Sequence, residues 1–304
     1  MGLFDFFKAR VANTGVDIPN RYALLREAIS GTMSKFYKAR DLRTGQVVGL
    51  KILDRKKTAA FEDRFRGLKK PTEGEIGMLL KHPRLVETLE HGTTTDGSQY
   101  IALEFIDGPD FNSLIVSRDP ALDGNRLHFI RQVAEAVAAI HAAGFVHRDI
   151  SPRNFLLADR PKKELKLIDF GVSLPNLPQF QQPGVRTGNP NYMAPEIVRR
   201  KSTDQRVDVF AFGVSAYEIC TGELPWPRGI TGMAAMSHDK PPIDILQYRP
   251  KLHPELAKAI HSCLEAEPAR RCATMEKFLQ AIRRVNRDEA ESPPLAASKI
   301  NPYT

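Results

Sequence analysis

Asp149, Asn154 and Asp169 stand at fixed offsets in one stretch of the chain, HRDISPRNFLL (His147 to Leu157) followed by LKLIDFG (Leu165 to Gly171). Carboxylate and amide oxygens are hard donors, suited to Mg²⁺ that also binds the oxygens of a polyphosphate. Moving a phosphoryl group onto a hydroxyl further needs a carboxylate beside the attacking oxygen. Apolar runs flank all three residues, so they are expected on rigid backbone, with a hairpin between the last two. One stretch can therefore supply both the metal ligands and the base.

The order of these motifs, with YMAPE (Tyr192 to Glu196) after them, resembles the catalytic loop, metal loop and activation segment of eukaryotic-type (Hanks-type) serine/threonine protein kinases. The resemblance implies an α+β fold of bilobal protein-kinase type, with a small antiparallel β lobe plus one helix and a larger, mainly helical lobe. The kinase domain is expected over residues 20–285, divided into a small lobe of about 20–106 and a large lobe of about 107–285. An N-terminal amphipathic segment (1–19) precedes it and a polar, Pro- and Ser-bearing tail (286–304), expected to be disordered, follows it.

The resemblance assigns roles residue by residue. Asp149 would be the catalytic base, Asn154 and Asp169 the metal ligands, and Lys51 of VVGLK the partner of the nucleotide's α and β phosphates. Glu73 is expected to pair with Lys51. The alternative register uses Glu75, which would also make Thr72-x-x-Glu75 a capping box. The glycine-rich loop falls on Ile29 to Ser34 and keeps Gly31 alone of its three glycines, with Ser34 at the last of these positions. Phe36 replaces the family's roof valine, and Gly49 its third-strand alanine. A larger residue facing a smaller one would conserve the volume of the pocket. Leu103 would gate that pocket, the backbone of Glu104 and Ile106 would meet the adenine edge, and Leu156 would complete the nucleotide site.

Three departures fall near the catalytic residues. Ser151 stands where serine/threonine kinases usually carry lysine, and Arg153 where tyrosine kinases place arginine. The cation has moved two residues, and a guanidinium can grip phosphate bidentately. Asn189 replaces the usual threonine, yet GNPNYMAPE still looks like the serine/threonine branch. In the segment before it, Arg148 is the residue that commonly clamps a phosphate. Thr187 is the candidate acceptor, and a constitutively ordered segment is the equal alternative. Asp208 is expected to brace the catalytic loop and Glu196 to pair with Arg271; His128 and His141 receive no function.

The elements that position these residues are legible from periodicity. Alternation in KFYKARDL, a Thr44-Gly45 turn and VVGLKIL mark one hairpin, and Asp96-Gly97 marks another. Apolar spacing at Ile130, Val133, Val137 and Ile140 marks a helix that stops at Gly144.

Composition bounds the rest. The chain has 304 residues, 42% hydrophobic and 26% charged, with a net charge of +8. Its basic residues are dispersed and not interleaved with aromatics, so no nucleic-acid surface is expected. The three cysteines, Cys220, Cys263 and Cys272, form no CxxC pair, which points to a reducing compartment and a cytoplasmic location. No apolar run reaches the ~20 residues of a membrane helix. The expected activity is transfer of the ATP γ-phosphate to serine or threonine hydroxyls of protein substrates, with Mg²⁺ or Mn²⁺. The alternatives are a pseudokinase that signals by docking and a small-molecule phosphotransferase of related fold.

Overall fold

The computed structural model describes residues 15–26, 29–31, 33–183, 187–227 and 234–289. The described chain divides into two compact units. One comprises residues up to His82 together with Val86–Asp107; the other comprises Pro83–Leu85 and the chain from Gly108 onward. The fold class is α+β, as the motif order implies.

The first unit is built on a six-stranded antiparallel sheet. A short helix α1 (Ile18–Arg21) leads into β1 (Tyr22–Leu24), β2 (Ile29–Ser30), β3 (Ser34–Asp41) and β4 (Val47–Leu53). After two helices come β5 (Thr88–Thr93) and β6 (Gln99–Glu104). The strand order is β1-β3-β4-β6-β5, with β2 also pairing β3. The β3–β4 turn forms where Thr44-Gly45 predicts it. Asp41 Oδ1 accepts from the Arg43 and Thr44 amides at 2.8 and 3.3 Å, and Gly45 sits at φ +75°, a conformation that costs glycine no Cβ clash. Successive side chains alternate faces. Tyr22, Ala39, Val48, Leu50, Tyr100 and Ala102 therefore form the core on one face, which leaves Gly49 and Lys51 of β4 on the other.

The unit holds more helix than the single one expected. Asp54 caps α2 (Arg55–Glu62), accepting from the amides of Lys56 and Lys57 at 3.0 Å each. The chain then crosses Pro71, which cannot sit inside a helix, and restarts as α3 (Glu73–Leu79). Residues 1–14 of the predicted amphipathic segment lie outside the described residues. The rest of that segment belongs to the folded unit: Val16 bridges Thr94, and Val16 and Ile18 pack on the sheet core.

The second unit is mainly helical. It runs α4 (Phe111–Ser117), α5 (Arg126–Ala142), β7 (Phe145–Val146), β8 (Phe155–Asp159), β9 (Glu164–Leu167) and β10 (Leu174–Pro175). Then follow α6 (Pro195–Val198), α7 (Arg206–Thr221), α8 (Ile245–Tyr248), α9 (Pro254–Cys263) and α10 (Met275–Ala281). Helix α7 is buried from Val207 through Cys220, the mark of a helix packed on all sides. Helix α5 buries Ile130, Val133, Val137 and Ile140 as its spacing predicts, and Gly144 at φ +83° turns the chain out of it.

Residues 286–289, which composition assigns to the tail, are part of this unit. Asn125 precedes α5 without a side-chain cap. Asp288 supplies the missing acceptor, taking the Leu127 amide at 2.8 Å and the Arg126 amide at 3.0 Å. A carboxylate there satisfies orphan donors and complements the helix dipole. The cap comes from a residue 161 positions away, so no local pattern announces it.

Candidate active site

The β8–β9 hairpin of the second unit sets the spacing of the metal-ligand candidates. Phe155 pairs with Leu167, and the Ile168 amide donates to the Asn154 carbonyl at 2.8 Å. Asn154 thus enters β8 at the same end of the hairpin where Asp169 leaves β9. Gln132 of α5 steadies this hairpin, accepting from the Leu165 amide at 2.8 Å and donating to the Lys163 carbonyl at 2.8 Å. His128, given no function above, meets Gln132 at 2.7 Å. Asp169 is exposed at φ +69° and accepts from the Gly171 amide at 3.0 Å.

Asn154 links the ligand end to the proposed base. Its Nδ2 donates to the Asp149 carbonyl at 2.7 Å and to Asp149 Oδ2 at 3.0 Å. Both partners are acceptors, so the nitrogen must face them and Oδ1 is left to face away. That oxygen and the Asp169 carboxylate are hard donors at one end of the hairpin, a donor set that fits a hard divalent cation. The other Asp149 oxygen, Oδ1, accepts the Asn189 amide at 3.1 Å. The carboxylate is oriented from both sides.

The loop carrying Asp149 is braced from α7. Asp208 Oδ2 accepts the His147 amide and Oδ1 the Arg148 amide, both at 2.7 Å. Burial opposes its charge, yet the His141 contact, nearby His147 and the Arg148 amide together hold Asp208 below the ordinary carboxylate range. His141 is the residue that sequence reasoning missed: its Nε2 lies 2.9 Å from Asp208 Oδ2, in the core. The signal for it, a histidine near the end of a core helix, is not distinctive. His141→Phe should destabilise the protein by about 1.5–3 kcal/mol, the worth of a hydrogen bond to a charged group. It should also lower kcat with little change in KM. Steady-state kinetics beside thermal denaturation checks this, and an unchanged kcat would remove His141 from the brace.

Two backbone positions hold the loop against the segment that ends in YMAPE. Arg148 adopts φ +72° and Gly188 φ +95°. A Cβ on Gly188 would stand 2.6 Å from the Arg148 carbonyl and 3.2 Å from Asp149 Oδ1, so only glycine lets the chain approach this closely. Asn189, substituted for threonine, uses its side chain locally, accepting from the Asn191 amide at 3.0 Å. Its contact with Asp149 is made by backbone. Buried Arg148 meets the hydroxyls of Thr187 at 3.5 Å and Thr203 at 3.2 Å. Ser151 is buried and Arg153 exposed, and among the described residues Arg153 makes no ion pair.

In the first unit, Glu73 is the one of the two candidate glutamates that meets Lys51. Lys51 Nζ donates to Glu73 Oε1 at 2.6 Å, with both side chains buried. Glu75 instead closes the capping box, accepting the Thr72 amide at 2.7 Å while Thr72 Oγ1 accepts the Glu75 amide at 3.3 Å. The two registers therefore describe different jobs of neighbouring glutamates. The cap engages Glu75 at the start of α3, and the course of the helix carries Glu73 to the lysine.

Phe36 lies over Gly49, as the volume exchange requires. A Cβ on Gly49 would stand 2.6 Å from Phe36 Cζ. Gly49→Ala should then cost about 1–3 kcal/mol, the usual penalty for overpacking, and adding Phe36→Val should recover most of it. Thermal denaturation of the single and double variants decides, with strictly additive losses excluding the pairing. Further along the sheet, Leu103 is buried, and neither backbone group of Ile106 has a partner among the described residues. Glu104 ends β6, and its amide donates to the Glu87 carbonyl at 2.9 Å. In the worn loop the Gly31 amide donates to the Ser34 carbonyl at 2.8 Å; Ile29 sits in β2. Leu156 lies half-buried in β8, bridged to Asp110.

In the second unit Glu196 and Arg271 form a buried bidentate pair at 2.7 and 2.9 Å. The guanidinium also donates to the carbonyls of Glu265, Ala266 and Arg206.

Comparison with known proteins agrees with this geometry. The protein kinase domain family model matches residues 22–281. The chain is 29% identical over 297 residues to serine/threonine-protein kinase pkn3 of Myxococcus xanthus, covering 93% of this chain and 54% of that relative. It is 29% identical over 293 residues to serine/threonine-protein kinase PknA of Mycobacterium tuberculosis, covering 92% and 66%. It is 30% identical over 252 residues to the hormonally up-regulated neu tumor-associated kinase homolog of Xenopus tropicalis, covering 82% and 35%. The chain thus spans from about a third to two thirds of the length of these relatives. Asp149, held between Asn154 and the Asn189 amide on a loop braced by Asp208, belongs to the portion matched, and the chain is a member of the protein kinase domain family.

Proposed function

We propose that this chain transfers the γ-phosphoryl group of ATP to serine or threonine hydroxyls of proteins. The observation that carries the proposal is the orientation of Asp149, whose carboxylate is fixed by Asn154 and Asn189. So held, Asp149 accepts the proton of an incoming hydroxyl as its oxygen attacks phosphorus. Asn154 Oδ1 and Asp169 would hold a divalent cation, Mg²⁺ or Mn²⁺, which would supply positive charge to offset that of the phosphates. Lys51 steadies the α and β phosphates, and Glu73 positions Lys51. Arg153, exposed on the loop, offers its guanidinium to the transferred phosphate in place of the lysine that Ser151 has displaced. By resemblance to the family, Gly31 and Ser34 are assigned to the phosphates, and Ile29, Phe36, Gly49, Leu103, Leu156 and the backbone of Glu104 and Ile106 to the base.

The four residues of the chemistry, Lys51, Asp149, Asn154 and Asp169, are all present, which favours an enzyme over a docking module. We propose a domain that widens the expected 20–285 to the folded residues 15–289, with the smaller lobe ending at about 106. No helix among the described residues is long and apolar enough to cross a membrane. A cytoplasmic setting is proposed on the free thiols of Cys220, Cys263 and Cys272. The test is incubation with γ-labelled ATP, Mg²⁺ and a generic protein, followed by phosphoamino-acid analysis. Labelled phosphoserine or phosphothreonine is expected; label confined to phosphotyrosine would overturn the branch, and none above background the activity.

A further inference from the structure

The loop that carries Arg271 holds a second chemical feature. Helix α9 ends at Cys263, which is fully buried. The chain returns alongside it, with the Cys272 amide donating to the Ser262 carbonyl at 2.9 Å. This backbone bond sets Cys272 beside the end of α9, next to Cys263, close enough for the two thiols to shift each other's acidity. Cys272 is half-exposed and its Sγ also donates to the Thr274 carbonyl at 3.3 Å. Cys220 is buried in α7.

We propose that Cys263 and Cys272 form a reversible redox pair, closed to a disulfide by small hydroperoxides. Their adjacency does not depend on the phosphotransfer reading. The division of labour follows from their surroundings. The neighbouring Cys263 thiol holds the Cys272 thiol down at about 7, while burial pushes the Cys263 thiol well up. Cys272 is therefore the thiolate-rich, accessible member, the one that attacks peroxide. Its sulfur takes the terminal peroxide oxygen, the O–O bond breaks, and the alcohol (water, from hydrogen peroxide) leaves with one proton. The Cys272 sulfenic acid is then attacked by the Cys263 sulfur. The S–S bond forms, the S–O bond breaks, and water departs with the Cys263 proton. Two thiols are oxidised and one peroxide is reduced. Closure needs the two sulfurs to draw in to about 2.05 Å. The product staples α9 to the residue next to Arg271, and so ties down the loop that holds Glu196.

The test uses the full chain, treated with hydrogen peroxide, alkylated under denaturing conditions and mapped as peptides by mass spectrometry. The expected result is a Cys263–Cys272 cross-linked species two hydrogens lighter, reversed by dithiothreitol, with Cys220 still alkylated. Oxidised protein should melt several degrees higher than reduced protein. Cys272→Ser should abolish both the cross-link and the shift, and in Cys263→Ala a sulfenic-acid probe such as dimedone should label Cys272. Complete alkylation of both thiols after peroxide, or a cross-link to Cys220, would overturn the proposal. So would a cross-link that leaves the melting temperature unmoved, since the staple would then be absent. Should Cys263→Ala fail to fold, the wild-type peptide map and the partly exposed Cys272→Ser variant still decide.

Discussion

Asp149→Asn should lower kcat for protein phosphorylation by about 10²–10⁴, the range ascribed to a positioned general base, while the protein stays folded. The substitution keeps the shape of the side chain but replaces a carboxylate oxygen with an NH₂ group. That group would face either Asn154 Nδ2 or the Asn189 amide, both of which are donors to the native carboxylate. The variant thus loses the base and gains a donor–donor contact at the same point. Because the contact is half-exposed and Asp208 still anchors the loop through the His147 and Arg148 amides, the stability loss should be small beside the kinetic one. The KM for ATP should change little, since Asp149 is assigned to the hydroxyl and not to the nucleotide. Transfer of labelled γ-phosphate, wild type beside variant, measures the effect. Equal label from both would mean that Asp149 is no base, and would return the docking reading.

Arg271→Met is expected to act on stability instead, by about 3–5 kcal/mol, because removing one partner of a buried ion pair leaves the other charge uncompensated. Glu196 would keep its carboxylate in the core, at 4% exposure, with both Arg271 donors gone. For a domain of this size such a loss lowers the melting temperature on the order of 10 °C. Three backbone carbonyls, those of Glu265, Ala266 and Arg206, lose their guanidinium donor as well. Glu196→Leu added to Arg271→Met should therefore recover only part of the loss: it removes the stranded charge and leaves the carbonyls unsatisfied. Thermal denaturation of the three variants checks this ordering. An Arg271→Met protein melting within about 2 °C of wild type would show that the pair does not hold the unit together.

The two effects differ in kind because the two sites differ in burial. Asp149, as the proposed base, has to reach a substrate and is only partly covered, so its worth is expected in rate. Arg271 binds a buried carboxylate and three carbonyls, and its worth appears in folding.

Much of the site was readable in one dimension, for a physical reason. Asn154, the hairpin and Asp169 lie on a continuous stretch whose geometry is local, since a β-hairpin fixes the spacing of its own ends. The Thr44-Gly45 turn, the start of α3 after Pro71 and the face on which Lys51 lies are equally local, following from turn chemistry, capping and strand alternation. Motif order likewise implied the pairing of Glu196 with Arg271. Other features needed the folded chain. Glu73 and Glu75 both fit the sequence as partners of Lys51, and only the three-dimensional course of α3 separates the ion pair from the cap. His141 gains its role from Asp208, and α5 its cap from Asp288, across 67 and 161 positions. The contact between Cys263 and Cys272 arises from a loop that folds back on α9, whereas their spacing suggests no pair. Chain-local geometry is written in period, turn and cap. Contacts made by side chains distant in sequence are decided by packing, which no window of residues contains.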